Sequence, residues 1–195
     1  LQFSSVDKEI ESLIVTSSGP SEGKSMTTAN LAVVYAQQGK KVLLVDADLR
    51  KPTVHYTFRL DNFSGLSNVL VGDMSLGSAV EPTDVEHLHV LTSGPIPPNP
   101  SELLASKKFQ EMLEEAKKVY DIVIFDTPPV LAVTDAQILA NLVDGSVLVI
   151  RSKKTETEAA QKAVETLQAA NGKLLGTVLN GKEKKEHTYY YYYGK

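Results

Sequence analysis

Three short motifs carry the residues that could perform chemistry, and they follow one another in a fixed order. The first is Ser18-Gly19-Pro20-Ser21-Glu22-Gly23-Lys24-Ser25, which ends in the Gly-Lys-Ser of a phosphate-binding loop. The second and third, residues 43–50 and 122–129, are apolar runs that end in carboxylates. A polyphosphate can bind at the first motif, and a magnesium ion and a reacting hydroxyl can bind beside the other two.

The first motif follows an apolar run and opens a helical pattern, which is the context that a phosphate-binding loop requires. Backbone N–H groups at the helix start would point at the phosphates, and the helix dipole favours their negative charge. Lys24 is predicted to hold the β- and γ-phosphates, and Ser25 to give its hydroxyl to magnesium. Ser18 stands where the usual pattern has its first glycine, so an ordinary strand-to-helix turn is the alternative for this string alone.

Asp46 and Asp126 each end an apolar strand, and ligands of α/β sheets bind outside the carboxyl ends of strands. Both are therefore predicted to face the phosphate loop. Asp48 would point to the same side as Asp46 if that strand continued, so that one assists magnesium and the other accepts a proton from an attacking hydroxyl. The alternative for any single aspartate is a helix cap or a turn. Arg50 and Lys51 either stabilise charge on a transferred phosphoryl group or form a solvated basic turn.

Apolar runs alternate with helical patterns along the chain, which is typical of βαβ units and a parallel sheet. Strands are predicted at 12–16, 41–46, 87–92, 121–126, 146–150 and 174–179, and helices at 24–38, 65–71, 75–80, 101–120, 135–142 and 155–170. The proline-rich stretch 94–100 is predicted to be a stiff loop. The fold class is α/β, with a mostly parallel central sheet flanked by helices. Periodicity stops after residue 180, so residues 1–180 are the predicted folded domain and residues 181–195 a flexible tail.

Composition excludes several classes of protein. The chain has 195 residues, of which 42% are hydrophobic and 23% charged, as in an ordinary soluble domain. It contains no cysteine, which excludes disulfides and thiolate metal sites. The net charge of −4 argues against nucleic acid as the main partner. No apolar run reaches the roughly 18 residues that span a bilayer, and no signal peptide is visible.

Five consecutive tyrosines, Tyr189, Tyr190, Tyr191, Tyr192 and Tyr193, lie near the C-terminus. On composition alone they indicate a sticky, disordered tail. Beside a phosphate-transfer site, their phenolic hydroxyls become predicted phosphate acceptors. Each phosphate adds roughly −1.5 to −2 charges, so phosphorylation is expected to repel the tail from the acidic site. The whole pattern predicts transfer of phosphate from ATP to tyrosine.

These residues resemble the cytoplasmic domain of the bacterial tyrosine kinases of capsule and exopolysaccharide systems, which are relatives of the ParA/MinD ATPases. The most specific part is the combination of residues 43–50, the Walker A′ motif, with Phe125-Asp126-Thr127-Pro128-Pro129 and the tyrosine cluster. The resemblance implies a three-layer P-loop NTPase fold. It also implies an ATP-dependent tyrosine kinase that phosphorylates its own C-terminal tyrosines and regulates polysaccharide synthesis and export.

The resemblance further implies roles for individual residues. Asp46 is the base or the residue that orients the hydroxyl, Asp48 supports the metal and phosphate geometry, and Asp126 holds a magnesium-bound water. Asn180 is the implied adenine contact, although the sequence alone favours a turn residue there. The implied catalytic residues are Asp46, Asp48 and Lys24; the contacts to ATP or ADP are Gly19, Ser21, Glu22, Gly23, Lys24, Ser25, Met26 and Asn180; and the residues at the Mg²⁺ site are Ser25, Asp46 and Asp126.

Two departures from the family pattern matter. Ser21 stands where members commonly have a glycine, and its Cβ is expected to limit positive φ or the close approach of phosphate. Members also carry an upstream Glu-x-x-Arg-x-x-Arg helix that mediates ring assembly. This chain begins after that position, so the chain by itself is expected to be monomeric while the full protein forms a ring.

Partners are implied by the resemblance as well. They are the cytosolic tail of a membrane activator protein, a cognate tyrosine phosphatase and substrates such as polysaccharide-synthesis enzymes. The implied location is the cytoplasm, with recruitment to the inner face of the membrane through the activator. The alternative function is a ParA/MinD-like ATPase that positions or partitions cargo without tyrosine phosphotransfer. That group has an extra lysine early in its phosphate loop, whereas residues 17–22 contain none here.

Overall fold

The computed structural model describes residues 9–182, in which seven strands form one sheet in the order β3-β4-β2-β5-β1-β6-β7. In chain order the elements are β1 (Ser12–Ser17), α1 (Lys24–Gln37), β2 (Val42–Asp46), α2 (Val54–Phe58), α3 (Leu66–Val71), α4 (Leu76–Ala79), β3 (Glu81–Pro82), β4 (Leu88–Leu91), α5 (Pro100–Leu104), α6 (Lys107–Lys117), β5 (Ile122–Asp126), α7 (Asp135–Ala140), β6 (Gly145–Arg151), α8 (Thr157–Ala169) and β7 (Leu174–Asn180). All pairings between these strands are parallel except that of β3 with β4. The predicted mostly parallel sheet is confirmed.

The central strands are apolar on both faces, because each face packs against a layer of helices. Alternate strand residues such as Leu13 and Val15 join Ala32 and Ala36 of α1 in one buried cluster. The intervening Ile14 joins a second cluster with residues of helices α3 to α8. Helix α1 and the short α2 therefore cover one side of the sheet, and the other helices cover the opposite side. This is the predicted three-layer arrangement.

Two local predictions were wrong. The helix expected over 101–120 is divided into α5 and α6, because Ser106 caps α6 by accepting the N–H of Phe109 at 3.2 Å. Pro100, expected in a loop, is the first residue of α5, where a missing N–H has no cost. Helix α2 and the two-residue strand β3 were not predicted.

Strand β7 ends at Asn180, where the predicted folded domain also ends. Residues 183–195 of the predicted tail, including its five tyrosines, lie outside the described residues. The division of the chain at residue 180 therefore stays a prediction. Among the described helices, no helix has both the length and the apolar composition needed to cross a membrane.

Candidate active site

Strand β1 leads into the phosphate loop, and α1 begins directly after Gly23. This glycine has a φ of 92°, in the left-handed region that glycine enters without steric cost. A Cβ here would overlap the side-chain amide of Asn180. Gly23 also has no side chain that could cap the first N–H groups of α1. These donors are therefore suited to an anionic ligand.

Ser21 has a φ of 61°, which a serine rarely adopts. Its Cβ therefore does not exclude a positive φ at this position, and the expected limit on the close approach of phosphate stays a prediction. Its carbonyl oxygen accepts hydrogen bonds from Arg151 Nη1 at 3.1 Å and Lys154 Nζ at 3.3 Å. These contacts help to hold a conformation that costs about 1–3 kcal/mol when a non-glycine residue adopts it.

The other loop residues predicted to contact nucleotide are placed in different ways. Gly19 donates its N–H to Glu22 Oε2 at 2.9 Å. The side chain of Glu22 is buried, so its carboxylate is turned into the protein. Met26, in the first turn of α1, is 59% exposed. Glu22 can therefore contribute to a phosphate site through its backbone, while its carboxylate serves the loop itself.

The two strand-end aspartates meet at the same edge of the sheet. Asp46 of β2 lies opposite Asp126 of the neighbouring strand β5. On the other side of β5, Val15 of β1 lies opposite Asp126. Strand β2 ends at Asp46, so the condition under which Asp48 would share a strand face with Asp46 is not met. Asp48 nevertheless lies beside the other two carboxylates, because the chain turns there and its N–H donates to Asp46 Oδ1 at 3.2 Å.

The ammonium group of Lys24 lies among these carboxylates. Its Nζ is 3.1 Å from Asp48 Oδ2, 3.4 Å from both carboxylate oxygens of Asp126 and 3.2 Å from Ser25 Oγ. Burial lowers the pKa of Lys24, but the nearby carboxylates of Asp126 and Asp48 outweigh that effect and leave it raised. Lys24 therefore stays protonated and is held at the strand ends, where it can meet a phosphate.

Asp46 is fully buried, and its carboxylate binds three backbone N–H groups. Besides the N–H of Asp48, Oδ2 accepts those of Thr53 at 3.0 Å and Val54 at 2.9 Å, at the start of α2. Burial and, secondarily, the charge of Asp126 raise the pKa of Asp46 to about 7, although the N–H groups and Lys24 act in the opposite direction. Asp46 thus makes the turn contact considered as its alternative role, and it also binds the first N–H groups of α2 from a different element.

Asp126 and Ser25 offer the hard oxygen atoms that magnesium prefers. Burial raises the pKa of Asp126, while Lys24 and a hydrogen bond from Ser25 oppose this shift. Thr28 Oγ1 donates to Asp126 Oδ1 at 3.2 Å and helps to hold the carboxylate in place. Ser25 and Asp126 therefore fit a magnesium ion, whereas Asp46 would have to release backbone N–H groups to become a ligand.

Within residues 9–182, no three His, Asp or Glu side chains form a cluster able to hold a metal by themselves. Magnesium in nucleotide sites keeps several waters and shares the phosphates of its substrate, so one or two protein oxygens suffice. The donor set of Ser25 and Asp126 is of that kind.

Asn180 lies at the carboxyl end of β7 against the phosphate loop. Its Nδ2 donates to the carbonyl oxygen of Glu22 at 2.9 Å, and its Oδ1 accepts the N–H of Gly181 at 2.8 Å. The amide thus makes the turn contact favoured by the sequence alone and also ties β7 to the loop. The implied adenine contact of Asn180 stays a prediction.

Arg50 is bound to a buried carboxylate rather than to solvent alone, and its role in stabilising a transferred phosphoryl group stays a prediction. Its Nε and Nη2 atoms bind the two carboxylate oxygens of Asp135 at 2.8 and 3.1 Å, and Nη2 also donates to Ser101 Oγ at 3.0 Å. Asp135 is fully buried. The sequence contains no local signal for this cluster, because Arg50 follows β2, Ser101 lies in α5 and Asp135 begins α7. Lys51, by contrast, is exposed.

Sequence reasoning also missed Thr28 and the turn after β6. Thr28 lies one helical turn beyond Lys24, and its position on the face of α1 toward Asp126 could have been found from helical spacing. Residues 151–155 follow the carboxyl end of β6, so the rule that identified the aspartates could have identified this turn too.

The chain is similar to known proteins over its whole length. Residues 14–176 match the AAA domain family. "Tyrosine-protein kinase YwqD" of Bacillus subtilis (strain 168) is 60% identical over 194 residues, which cover 100% of this chain and 82% of that protein. "Putative tyrosine-protein kinase CapB" of Staphylococcus aureus is 48% identical over 196 residues, covering 100% and 86%.

Solved structures give the same relationship. The kinase domain of the Escherichia coli tyrosine kinase ETK has a TM-score of 0.89 at 37% identity, covering 95% of this chain and 72% of that one. The septum site-determining protein MinD from Pyrococcus horikoshii, complexed with Mg-ADP, has a TM-score of 0.74 at 25% identity, covering 89% and 72%. Both resemblances that the sequence suggested are thereby confirmed at the level of the fold. The chain belongs to the bacterial tyrosine-protein kinases built on a P-loop NTPase domain.

Proposed function

We propose that this domain binds MgATP at the loop of residues 18–25 and transfers the γ-phosphoryl group to the tyrosines of residues 189–193. The observation that supports this most strongly is the position of the Lys24 ammonium group among Asp48, Asp126 and Ser25. A lysine already held at the carboxyl edge of the sheet can exchange its carboxylate contacts for phosphate oxygens.

Different residues at this edge of the sheet bind different parts of the nucleotide and its metal ion. The N–H groups at the start of α1 face the phosphates, Lys24 neutralises the β- and γ-phosphates, and Ser25 with Asp126 would hold magnesium. Magnesium supplies positive charge against the phosphate oxygens during transfer. The complex of MinD with Mg-ADP, on the same fold, supports a nucleotide and magnesium here.

The transfer step uses a tyrosine hydroxyl as the nucleophile. Its oxygen forms a bond to the γ-phosphorus, the bond from that phosphorus to the β,γ-bridging oxygen breaks, and ADP leaves with the bonding electrons. The phenolic proton passes to the Asp46 carboxylate, and Asp48 keeps Lys24 in place. Because Asp46 is fully buried, the segment 47–53 has to move when the tyrosine enters.

A MinD-like ATPase is the second candidate, because the MinD fold resembles this one. Water would then take the place of the tyrosine hydroxyl. The identity of 60% to a tyrosine-protein kinase over the full chain favours the kinase.

The two candidates are separated by their products. The protein is incubated with MgATP, and phosphotyrosine and free phosphate are both measured, with Lys24→Met as the inactive control and Lys162→Met, on the exposed face of α8, as the matched control. A kinase yields phosphotyrosine that disappears in Lys24→Met and persists in Lys162→Met. Free phosphate without phosphotyrosine identifies an ATPase.

The biological setting follows the same family. We infer a role in the synthesis and export of capsular or extracellular polysaccharide, activation by the cytosolic tail of a membrane protein, and dephosphorylation by a tyrosine phosphatase. Polysaccharide-synthesis enzymes are the inferred substrates. The location would be the cytoplasmic face of the membrane, reached through the activator, and the full protein would assemble as a ring. The names of the relatives CapB and YwqD as tyrosine-protein kinases support the enzyme class on which these inferences depend.

A further inference from the structure

The carboxylate of Glu22 is unusual for a phosphate-binding loop, because it is a buried negative charge next to a site for anions. It is 3% exposed. Ser18 Oγ donates to its two oxygens at 2.8 and 2.9 Å, and the N–H of Gly19 donates to Oε2 at 2.9 Å. Thr155 Oγ1 donates to Oε1. Both carboxylate oxygens are thus hydrogen-bonded to donors within the protein.

Thr155 connects this carboxylate to the turn that follows β6. Its Oγ1 accepts the N–H of Arg151 at 2.8 Å while it donates to Glu22. The N–H of Thr155 in turn donates to the carbonyl of Arg151 at 2.9 Å. The Thr155 hydroxyl therefore links the backbone of the turn, through the N–H of Arg151, to the carboxylate of Glu22.

The same turn also reaches the tip of the phosphate loop. Lys154 Nζ donates to the carbonyl oxygens of Pro20 at 3.0 Å and Ser21 at 3.3 Å, and Arg151 Nη1 donates to that of Ser21 at 3.1 Å. Ser21 is the residue with the left-handed backbone. The peptide bond is planar, so holding the carbonyl of Ser21 also fixes the direction of the N–H group of Glu22.

We propose that the Glu22–Thr155 hydrogen bond positions the phosphate loop, so that Glu22 and Thr155 are positioning residues for the phosphates of the nucleotide. They act through the backbone of residues 19–23 and touch neither base nor ribose. The proposal rests on the proposed function, since it presumes that polyphosphate binds at this loop.

The proposal predicts that the effect depends on phosphate and not on the nucleoside. Thr155→Val removes a hydrogen bond to the Glu22 carboxylate and so frees the phosphate loop, which should weaken the binding of ATP and of inorganic tripolyphosphate about tenfold. Inorganic tripolyphosphate, which has no base or ribose, should lose as much affinity as ATP.

The experiment measures dissociation constants by calorimetry for MgATP and for magnesium tripolyphosphate. The proteins are the wild type, Thr155→Val, Thr155→Ser and Thr166→Val, a matched control on α8 whose hydroxyl donates only to the carbonyl of Lys162 among the described contacts. Melting temperatures are recorded for all four. We expect equal weakening of both ligands in Thr155→Val and near wild-type affinities in Thr155→Ser and Thr166→Val. All four proteins should be folded, with a lower melting temperature in Thr155→Val because it loses a buried hydrogen bond.

Three results would overturn the inference and leave the proposed function standing. The first is wild-type affinity for both ligands in Thr155→Val, and the second is weaker binding of MgATP but not of tripolyphosphate in that variant. The third is a loss of affinity in Thr155→Ser equal to that in Thr155→Val. If the wild type binds neither ligand, the proposed function itself fails, and the inference with it. Should Thr155→Val not fold, Glu22→Gln replaces it under the same criteria, because it keeps the size of the side chain and removes the charge.

Discussion

Asp46 and Asp126 lie opposite each other on the adjacent parallel strands β2 and β5, and both carboxyl groups are fully buried. Two buried carboxylates in this relationship cannot both be ionised without strong repulsion. Lys24, the serine and threonine hydroxyls and the N–H groups of α2 offset part of that repulsion. The pair is therefore the most pH-sensitive part of the site.

Stability should fall as the pH rises through the range in which Asp46 titrates. Its pKa in the folded protein is raised to about 7, whereas an unfolded aspartate titrates near ~3.9. Between these values the folded state binds more protons than the unfolded state, so the free energy of unfolding decreases with rising pH and levels off above about pH 7. In Asp46→Asn this contribution is absent.

Urea unfolding of the nucleotide-free and magnesium-free protein between pH 4.5 and pH 8 measures this effect. The wild type should lose stability relative to Asp46→Asn up to about pH 7 and run parallel to it above. Asp84→Asn, at an exposed position, serves as the control and should follow the wild type throughout. A constant difference between the wild type and Asp46→Asn across the range would disprove the shifted titration.

Asp46→Ala should abolish phosphotransfer while it leaves most of the affinity for MgATP. A general base acts in the transition state, and its loss typically lowers the rate by about 10²–10⁴-fold. Nucleotide binding depends instead on Lys24 and the loop. Single-turnover rates and calorimetric dissociation constants are measured side by side. A variant that keeps near wild-type turnover would remove Asp46 from this role.

Lys24→Met should weaken the binding of MgATP by at least about tenfold, because charged hydrogen bonds to phosphate contribute about 1.5–3 kcal/mol each. The variant also leaves Asp48 and Asp126 without their shared cation, so its free energy of unfolding should decrease. Calorimetry gives the affinity, and urea unfolding the stability. Lys162→Met should match the wild type in both. Equal affinity in Lys24→Met would place the nucleotide elsewhere.

Arg50 and Asp135 should show a large and asymmetric energetic coupling. Arg50→Met leaves a fully buried carboxylate without its cation and should cost about 3–5 kcal/mol. Asp135→Ala should cost less, because the partly exposed arginine can turn toward water. The double variant should lose less than the sum of the two.

A double-mutant cycle by chemical unfolding checks this coupling. The exposed pair of Lys107 and Glu111 on α6 is the control and should show little coupling. If the Arg50–Asp135 cycle is as additive as that of the control, the bidentate contact makes no net contribution to stability.

The sequence allowed the sheet to be predicted well, because its strands are buried apolar runs separated by helical spacing. The meeting of Asp46 with Asp126 followed from one rule, that parallel strands bring their carboxyl ends to one edge. Helix α2 was missed because it has five residues and follows Pro52, and its first N–H groups are held by Asp46 from a different element. The role of Ser106 as a cap was overlooked within a longer helical pattern.

The contacts that could not be predicted join residues far apart in the chain. Glu22 and Thr155 are 133 positions apart, and neither residue type nor local spacing marks them as partners. The pair of Arg50 and Asp135 is separated by 85 positions. Such contacts depend on how the loops pack once the sheet has formed. Local sequence patterns predict helices and strands, but they do not predict which loop residues will meet.

Phosphate transfer between two complementary variants of the chain tests the central claim most directly. Lys24→Met chains with intact tyrosines are mixed with active chains in which Tyr189 to Tyr193 are changed to phenylalanine, and γ-labelled MgATP is added. We expect label on residues 189–193 of the Lys24→Met chain and none when either protein is incubated alone. The rate should rise with protein concentration, as transfer between molecules requires. Absence of tyrosine label from the mixture and from the wild type alike, while ATP is bound, would contradict a tyrosine kinase at this site.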